Sequence, residues 1–191
     1  MNETEIIEVL ERNGAILRGH YRLSSGRHSD VFIQKFRILE HPRLAQRFGE
    51  EIAKHFAGSF DAVASPAVGA IVLGFTTALA ANVRMLFAER EGGELQFRRG
   101  FELAPHAKTL VVEDVITTGG SAREVVGLIQ SSGAVPVGIG ALIDRGDPAR
   151  SADLGAPLHA LVRLDVASWS EDECPLCAAG REFDDPGSRR L

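Results

Sequence analysis

Thr109-Leu-Val-Val-Glu-Asp-Val-Ile-Thr-Thr-Gly-Gly-Ser121 joins an apolar run, two adjacent acids and a loop of small residues. The apolar run has the length and the β-branched content of a buried strand, and a helical pattern follows over 121–131. In open α/β sheets, ligands bind at the carboxyl ends of the strands. The stretch therefore predicts a strand, a helix and, between them, a ligand site.

Strand-like and helix-like segments alternate on both sides of this stretch. Strands are predicted over 62–65, 85–88, 109–112 and 135–143, and helices over 3–12, 41–56, 69–81 and 121–131. Such an order favours a parallel sheet, which must be covered on both faces. We therefore predict an α/β fold with a central, mostly parallel sheet and helices on both faces, in a single domain over 1–191.

The segment from Glu89 to Phe101, EREGGELQFRRGF, interrupts this alternation. Gly92-Gly93 separates two short strand-like pieces, which is a pattern typical of a β-hairpin. We interpret residues 88–102 as a flexible β-hairpin flap beside the main sheet.

The bulk composition excludes several classes of protein. Hydrophobic residues make up 45% and charged residues 25%, which is ordinary for a globular protein and unlike a disordered or collagen-like chain. The net charge is −5 and no long Lys/Arg run occurs, so we expect no nucleic-acid partner. No stretch resembles a membrane span or a signal peptide, so we expect a cytoplasmic protein without a membrane partner.

Two cysteines, Cys174 and Cys177, stand in a C-P-L-C sequence near the C-terminus. They are compatible with plain thiols, with a redox pair or with half of a zinc site. Because no second pair and no histidine cluster is near them in the sequence, we favour plain thiols. The polar stretch DDPGSRRL over 184–191 is interpreted as a frayed tail.

The loop Thr117-Thr-Gly-Gly-Ser121 has the properties of a phosphate site. It offers hydroxyls, approachable backbone N–H groups and a helix N-terminus, which bind a phosphate without a cationic side chain. Glu113 and Asp114 would repel that phosphate unless they bind ribose hydroxyls or a hydrated magnesium ion. The combination predicts a sugar-phosphate ligand; the alternative is a strand end followed by an ordinary helix cap.

The stretch V-V-E-D-V-I-T-T-G-G-S over 111–121 resembles the phosphoribosyl pyrophosphate motif of type I phosphoribosyltransferases. Leu23-Ser-Ser-Gly-Arg-His-Ser-Asp30 resembles the base-binding hood of the orotate phosphoribosyltransferases, and Phe87-Ala-Glu-Arg90 and the C-P-L-C resemble a bacterial branch of that family. The resemblance implies a type I phosphoribosyltransferase fold with a small hood built from residues 1–40 and the C-terminal part. It further implies transfer of the phosphoribosyl group to orotate in pyrimidine biosynthesis, Mg²⁺ held mainly by substrate, and a homodimer.

The same resemblance implies a role for individual residues. Glu113 and Asp114 would hold the ribose hydroxyls, and both would be catalytic together with Arg90 of the flap. The remaining residues of the phosphoribosyl pyrophosphate site would be Ala67 and Val68 beside the pyrophosphate, Arg90, and Val115, Ile116, Thr117, Thr118, Gly119, Gly120 and Ser121 around the 5-phosphate. Orotate would contact Ser24, Phe32, Thr117 and Arg145, since a phenyl ring can stack on the base and an arginine can pair with its carboxylate.

Several alternatives remain open at this point. The alternative role for Arg145 is a surface ion pair with Asp144 or Asp147, and the alternative role for Phe32 is that of a buried core residue. The flap lacks the lysines and the histidine that supply positive charge to the departing pyrophosphate in many relatives. The best substitute for that charge is Arg90, followed by Arg98 and Arg99. The competing functions are a purine or uracil phosphoribosyltransferase, a non-catalytic regulator that senses phosphoribosyl pyrophosphate, and an interaction module with zinc between subunits.

Overall fold

The computed structural model describes residues 1–23, 25–146 and 154–186. Its helices are α1 (Glu3–Arg12), α2 (Phe36–Leu39), α3 (Pro42–His55), α4 (Ile71–Ala81), α5 (Gly120–Ser131) and α6 (Pro175–Ala178). Its strands are β1 (Ile16–Arg22), β2 (His28–Ile33), β3 (Ala62–Pro66), β4 (Arg84–Glu91), β5 (Glu94–Phe97), β6 (Lys108–Ile116), β7 (Val135–Asp144) and β8 (Leu158–Arg163).

A six-stranded sheet forms the centre of the molecule, in the strand order β5-β4-β3-β6-β7-β8. All neighbouring strands are parallel except β4 and β5, which form an antiparallel hairpin. The predicted α/β fold with a mostly parallel sheet is therefore confirmed. β6 lies between β3 and β7, so the acids at its end lie in the middle of one edge of the sheet.

Alternate residues of β6 face opposite sides of the sheet, as the period of a strand requires. Leu110 and Val112 pack in a buried cluster with residues of α1, α3 and α4. Val111 packs in a second cluster with residues of α5. Helices thus cover both faces, which explains why the strand is apolar at every position from Leu110 to Val112.

The packing of α3 on α4 depends on one glycine. Pro42 occupies the first turn of α3, where its missing N–H costs nothing, and Phe48 and Ile52 are buried beneath the helix. A Cβ on Gly49 would lie 2.5 Å from the Oγ1 of Thr76 and 2.6 Å from the backbone of α4. The two helices can approach this closely only because Gly49 has no side chain.

α4 is apolar on its outer face as well as its inner one. Leu73 is buried, whereas Phe75 and Leu79 are 58% and 60% exposed, and Val68 and Val72 are exposed beside them. Within the described residues, no helix combines the length and the apolarity needed to cross a membrane.

A separate two-stranded antiparallel sheet, β1–β2, contains part of the predicted hood. The C-terminal part joins it in two places. His28 and Trp169 exchange backbone hydrogen bonds of 2.8 and 2.9 Å, and the N–H of Asp184 donates to the carbonyl of His20 at 2.7 Å. Asp184 is therefore fixed to β1, so the prediction that the frayed tail begins there is wrong; residues 187–191 lie outside the described ranges.

We expect Gly49→Ala to lower the free energy of unfolding by about 1–3 kcal/mol, because the added methyl group overpacks the α3–α4 contact. Urea unfolding followed by circular dichroism measures this change.

The matched control is Gly127→Ala in the middle of α5, where an added Cβ meets nothing within 4 Å. That variant should be more stable by about 0.5–1 kcal/mol, since alanine is the better helix former. Equal effects at the two positions would contradict the close helix contact.

Candidate functional site

The carboxyl ends of the three central strands meet at one edge of the sheet. β3 ends at Pro66 and leads into a loop, β6 carries Glu113 and Asp114 near its end, and Arg145 directly follows β7. Parallel strands place their carboxyl ends together, so residues far apart in the sequence converge here.

Asp114 is buried and holds a lysine that the sequence analysis did not select. Its Oδ1 accepts the N–H of Val115 at 2.6 Å, and the Nζ of Lys35 lies 2.6 Å from its Oδ2. The lysine contact is an ion pair without hydrogen-bond geometry, and Oδ2 has no hydrogen-bond donor in the described part of the chain. A ribose hydroxyl could satisfy Oδ2 once the flexible lysine side chain moves aside.

Glu113 is only 8% exposed, and its Oε1 accepts the backbone N–H of Asp114 at 3.0 Å. Burial, followed by the charge of Asp114, raises the pKa of Glu113 to about 8. The pair therefore carries less negative charge near neutral pH than two surface acids would.

The loop between β3 and α4 passes close to these acids. A Cβ on Gly69 would lie 2.1 Å from the Oδ2 of Asp114 and 2.6 Å from the Nζ of Lys35. Beside it, Ala67 donates its N–H to the carbonyl of Ala88 at 2.8 Å, and Val68 is exposed. The predicted pyrophosphate residues Ala67 and Val68 thus belong to the same loop that passes close to Asp114.

The predicted phosphate loop connects β6 to the first turn of α5. Gly119 has φ +73°, and a Cβ there would lie 2.2 Å from the Cδ2 of Leu154, so glycine is required for two reasons. α5 begins at Gly120 and Ser121 follows in its first turn, so backbone N–H groups are available at that end of the helix. Ile116 is buried in the core, which leaves only its backbone for a ligand.

A cavity of about 880 Å³ opens beside this loop. Three of the predicted base-binding residues, Phe32, Thr117 and Arg145, line it. Phe32 rests against the ring of Tyr21 at 5.6 Å between centroids and is only half-buried, so it is not simply a core residue. The cavity is also lined by Thr118, Lys35, Phe36 and residues 183–186. Ser24, the fourth predicted base contact, lies outside the described residues.

Arg145 brings a positive charge to the cavity. Asp144, its proposed surface partner, instead binds Arg163 at 3.0 Å, and Asp147 lies outside the described ranges. No acid in residues 1–23, 25–146 or 154–186 pairs with the guanidinium of Arg145, and burial lowers its pKa. An anionic ligand would therefore find an uncompensated cation there.

The arginines of the hairpin are bound to acids. Arg90 contacts the carbonyl of Gly93 and pairs with Glu124 of α5 at 2.9 Å, and it does not line the cavity. Arg99 binds both carboxylate oxygens of Glu89, at 2.7 and 2.9 Å. The hairpin is present as predicted, with its turn at Gly92 and Gly93; that it moves stays a prediction.

The sequence analysis missed Lys35, Phe36 and Phe183. Lys35 is one of three lysines in the chain, and it follows β2 together with an exposed phenylalanine, Phe36. A scarce lysine next to an aromatic residue was the available signal in the sequence. No local pattern indicated that Phe183 would line the same cavity, because β1 and β2 precede it by more than 140 residues.

Comparisons with known proteins identify relatives that span the full length of the chain. No protein-family model matches the chain. It is 41% identical to an orotate phosphoribosyltransferase of Caldanaerobacter subterraneus subsp. tengcongensis and 43% identical to one of Desulforamulus reducens, each over 192 aligned positions and the full length of both chains. The crystal structure of the Aeropyrum pernix orotate phosphoribosyltransferase superimposes with a TM-score of 0.72 and 28% identity, over 83% of this chain and 93% of that one.

An adenine phosphoribosyltransferase of Thermoanaerobacter pseudethanolicus has the same fold, with a TM-score of 0.67 over 81% of this chain and 99% of that one. Its identity is 19%, so this likeness concerns the fold alone.

We expect the stability of the unliganded protein to fall as the pH rises from about 5 through 8, in part because of Glu113. A carboxyl whose folded pKa is raised to about 8 stabilises the fold below its unfolded pKa, and that contribution is lost as the pH passes the folded pKa. Melting temperatures measured across this window for the wild type and Glu113→Gln test the expectation. The variant should show the smaller decrease, and parallel curves would contradict a raised pKa.

Proposed function

The chain belongs to the orotate phosphoribosyltransferase family, and we propose that the cavity beside β6 is where orotate receives the 5-phosphoribosyl group. The reaction of the family is a pentosyl transfer in pyrimidine biosynthesis, which converts phosphoribosyl pyrophosphate and orotate into orotidine 5'-phosphate and pyrophosphate. One observation carries the assignment of the site. A guanidinium with no acid partner in the described part of the chain faces an aromatic cavity next to a buried carboxylate pair and a phosphate loop.

The phosphoribosyl half of the substrate fits the groups at the end of β6. Glu113 and Asp114 would accept hydrogen bonds from the two ribose hydroxyls, and Lys35 would leave Oδ2 of Asp114 as they arrive. Backbone N–H groups of residues 117–121 and the helix N-terminus would bind the 5-phosphate. The backbone of Ala67 and Val68 would face the pyrophosphate.

The base half of the substrate fits the cavity. Arg145 would form a charge-assisted pair with the carboxylate of orotate, and Phe32 would stack on the pyrimidine ring. Phe36, which also lines the cavity, adds a second aromatic surface. Purines and uracil carry no carboxylate and would leave Arg145 without an anion, so these alternatives are not favoured.

Magnesium fits this site as an ion brought by the substrate. Asp114 already holds the ammonium group of Lys35 at 2.6 Å, and Glu113 has a pKa near 8. Two such groups are poor direct ligands for a hard cation that prefers ionised oxygens. Mg²⁺ would therefore be held mainly by the substrate, and it would supply positive charge that neutralises the leaving group.

The chain contributes positioning and electrostatics rather than a nucleophile. The carboxylates at 113 and 114 hold the ribose while the bond from C1 to pyrophosphate loosens and positive charge develops on the ring. The cavity would hold the orotate nitrogen in line with C1, so that it bonds to C1 after the bond to pyrophosphate has loosened, while the proton of that nitrogen passes to solvent or to the departing pyrophosphate. Arg90 would stabilise the departing pyrophosphate after the hairpin closes over it.

We also propose that the molecule is a cytoplasmic homodimer of a single domain. The outer face of α4 supports the dimer, since Val72, Phe75 and Leu79 form an exposed apolar surface that a second copy would cover.

The test of the proposed function is the loss of orotate absorbance with phosphoribosyl pyrophosphate, with and without Mg²⁺. We expect consumption that requires Mg²⁺. Arg145→Ala should raise the KM for orotate by about 10–100-fold, because a hydrogen bond to a charged group contributes about 1.5–3 kcal/mol.

Two comparisons make this result specific. The KM for phosphoribosyl pyrophosphate should change little in Arg145→Ala, and Arg145→Lys should recover part of the affinity because it retains the charge. Turnover of adenine, xanthine or uracil in place of orotate would show that the base was assigned wrongly, whereas no turnover of any base would favour the regulator.

We expect Arg90→Ala to lower kcat by about tenfold or more with a smaller change in the KM for orotate, because the proposed contact is made as pyrophosphate departs. Steady-state kinetics measures both parameters. Arg99→Ala, which removes another exposed arginine of the same hairpin, should retain kcat within about twofold. An unchanged kcat in Arg90→Ala would remove this residue from the mechanism.

A further inference from the structure

Two histidines and two cysteines converge in the hood, in a place that the proposed reaction does not use. His20 lies on β1, His28 begins β2, and Cys174 and Cys177 flank the start of α6. One ligand atom from each, a ring nitrogen or a sulfur, lies within 4.8 Å of all the others. The interpretation of the cysteines as plain thiols rested on the absence of nearby histidines in the sequence, and the fold supplies them from the other end of the chain.

Three of the six separations between these atoms match the edges of a small tetrahedron, and the others are no longer than 4.8 Å. The Nε2 of His20 is 3.5 Å from the sulfur of Cys174 and 3.7 Å from that of Cys177, and the Nδ1 of His28 is 3.2 Å from the sulfur of Cys177. Zinc bonds of about 2.3 Å to sulfur and 2.0–2.1 Å to nitrogen, in tetrahedral geometry, put neighbouring ligand atoms roughly 3.3–3.8 Å apart. Little rearrangement is needed to bring all four to one ion.

The surroundings orient the ligands. The Nδ1 of His20 lies 2.8 Å from the carbonyl oxygen of Arg181. Because a carbonyl can only accept, Nδ1 carries the proton and Nε2 presents its lone pair to the cluster, which is the usual arrangement behind a metal-bound histidine. His20, His28 and Cys174 are 1–2% exposed. Water and outside ligands are thereby excluded from most of the site.

We propose that His20, His28, Cys174 and Cys177 bind one structural zinc ion. Two sulfurs and two imidazole nitrogens with the C-x₂-C spacing form a donor set that zinc prefers, and four protein ligands leave no open position for catalysis. Binding converts both thiols to thiolates and releases their protons to solvent. None of the four ligands belongs to the carboxylate pair, and the ion would bind whichever base the cavity accepts.

The ion would join segments that are far apart in the sequence and would hold one wall of the cavity. His20 and Cys174 are separated by 154 positions. Between the cluster and the cavity, the ring of Phe183 packs against both histidines, at 4.2 Å from His20 and 4.8 Å from His28 between centroids. Residues 183–186 then line the cavity. Zinc would thus position the C-terminal wall of the proposed base site without contacting a substrate.

Metal analysis of the purified, reduced full-length chain tests the proposal. After dialysis against a weak chelator, we expect about one zinc per wild-type chain and a loss of at least about tenfold in Cys177→Ser. The control His106→Asn removes an exposed histidine outside the cluster and should retain the zinc. Removal of the ion by a strong chelator should lower the melting temperature by about 5–15 °C, reversibly on adding Zn²⁺.

A second measurement does not depend on whether the variant folds. The metal-free wild type should bind one Co²⁺, with thiolate-to-cobalt charge transfer in the near-ultraviolet and the strong visible bands of a tetrahedral site. Zn²⁺ should displace it. The proposal is overturned if the reduced wild type binds neither ion, or if its intact mass shows that Cys174 and Cys177 form a disulfide and reduction restores no metal binding.

Discussion

The burial of two adjacent carboxyl groups at the end of the central strand is the constraint around which the site is built. Glu113 and Asp114 are both nearly removed from water, and two neighbouring anions cannot remain there without compensation. The structure supplies a proton, through the raised pKa of Glu113, and a cation, through Lys35 beside Asp114. Gly69 completes the arrangement, since any side chain there would occupy the space of the lysine and the carboxylate.

The local parts of this site could be predicted from the sequence. The strand, the acids, the loop and the following helix are contiguous over 109–131, and their patterns depend only on neighbouring residues. The alternation of elements also indicated the parallel sheet. Lys35, by contrast, reaches Asp114 across almost eighty residues, and no periodicity encodes such a contact. For the same reason, the sequence did not indicate that the histidines at 20 and 28 lie beside the cysteines at 174 and 177.

The hairpin could be predicted from the sequence only in part. Its turn could be predicted because Gly92 and Gly93 are a local signal, but the partners of its arginines depend on tertiary structure. Each guanidinium lies beside an acid, and the acid next to Arg90 belongs to α5 rather than to the hairpin. These pairs are exposed and individually weak, so a polyanionic substrate can compete for the arginines at small cost.

The attachment of residues 174–186 to β1 and β2 also sets the order in which the molecule can be completed during synthesis. The two strands can pair with each other, but they leave the ribosome some 150 residues before their C-terminal partners. The hood therefore lacks its C-terminal part while the sheet and the loop over 117–121 are already able to form. A nascent chain would therefore acquire the proposed sugar-phosphate half of its site first. The proposed cavity for the base would be completed only when translation has delivered α6 and residues 179–186.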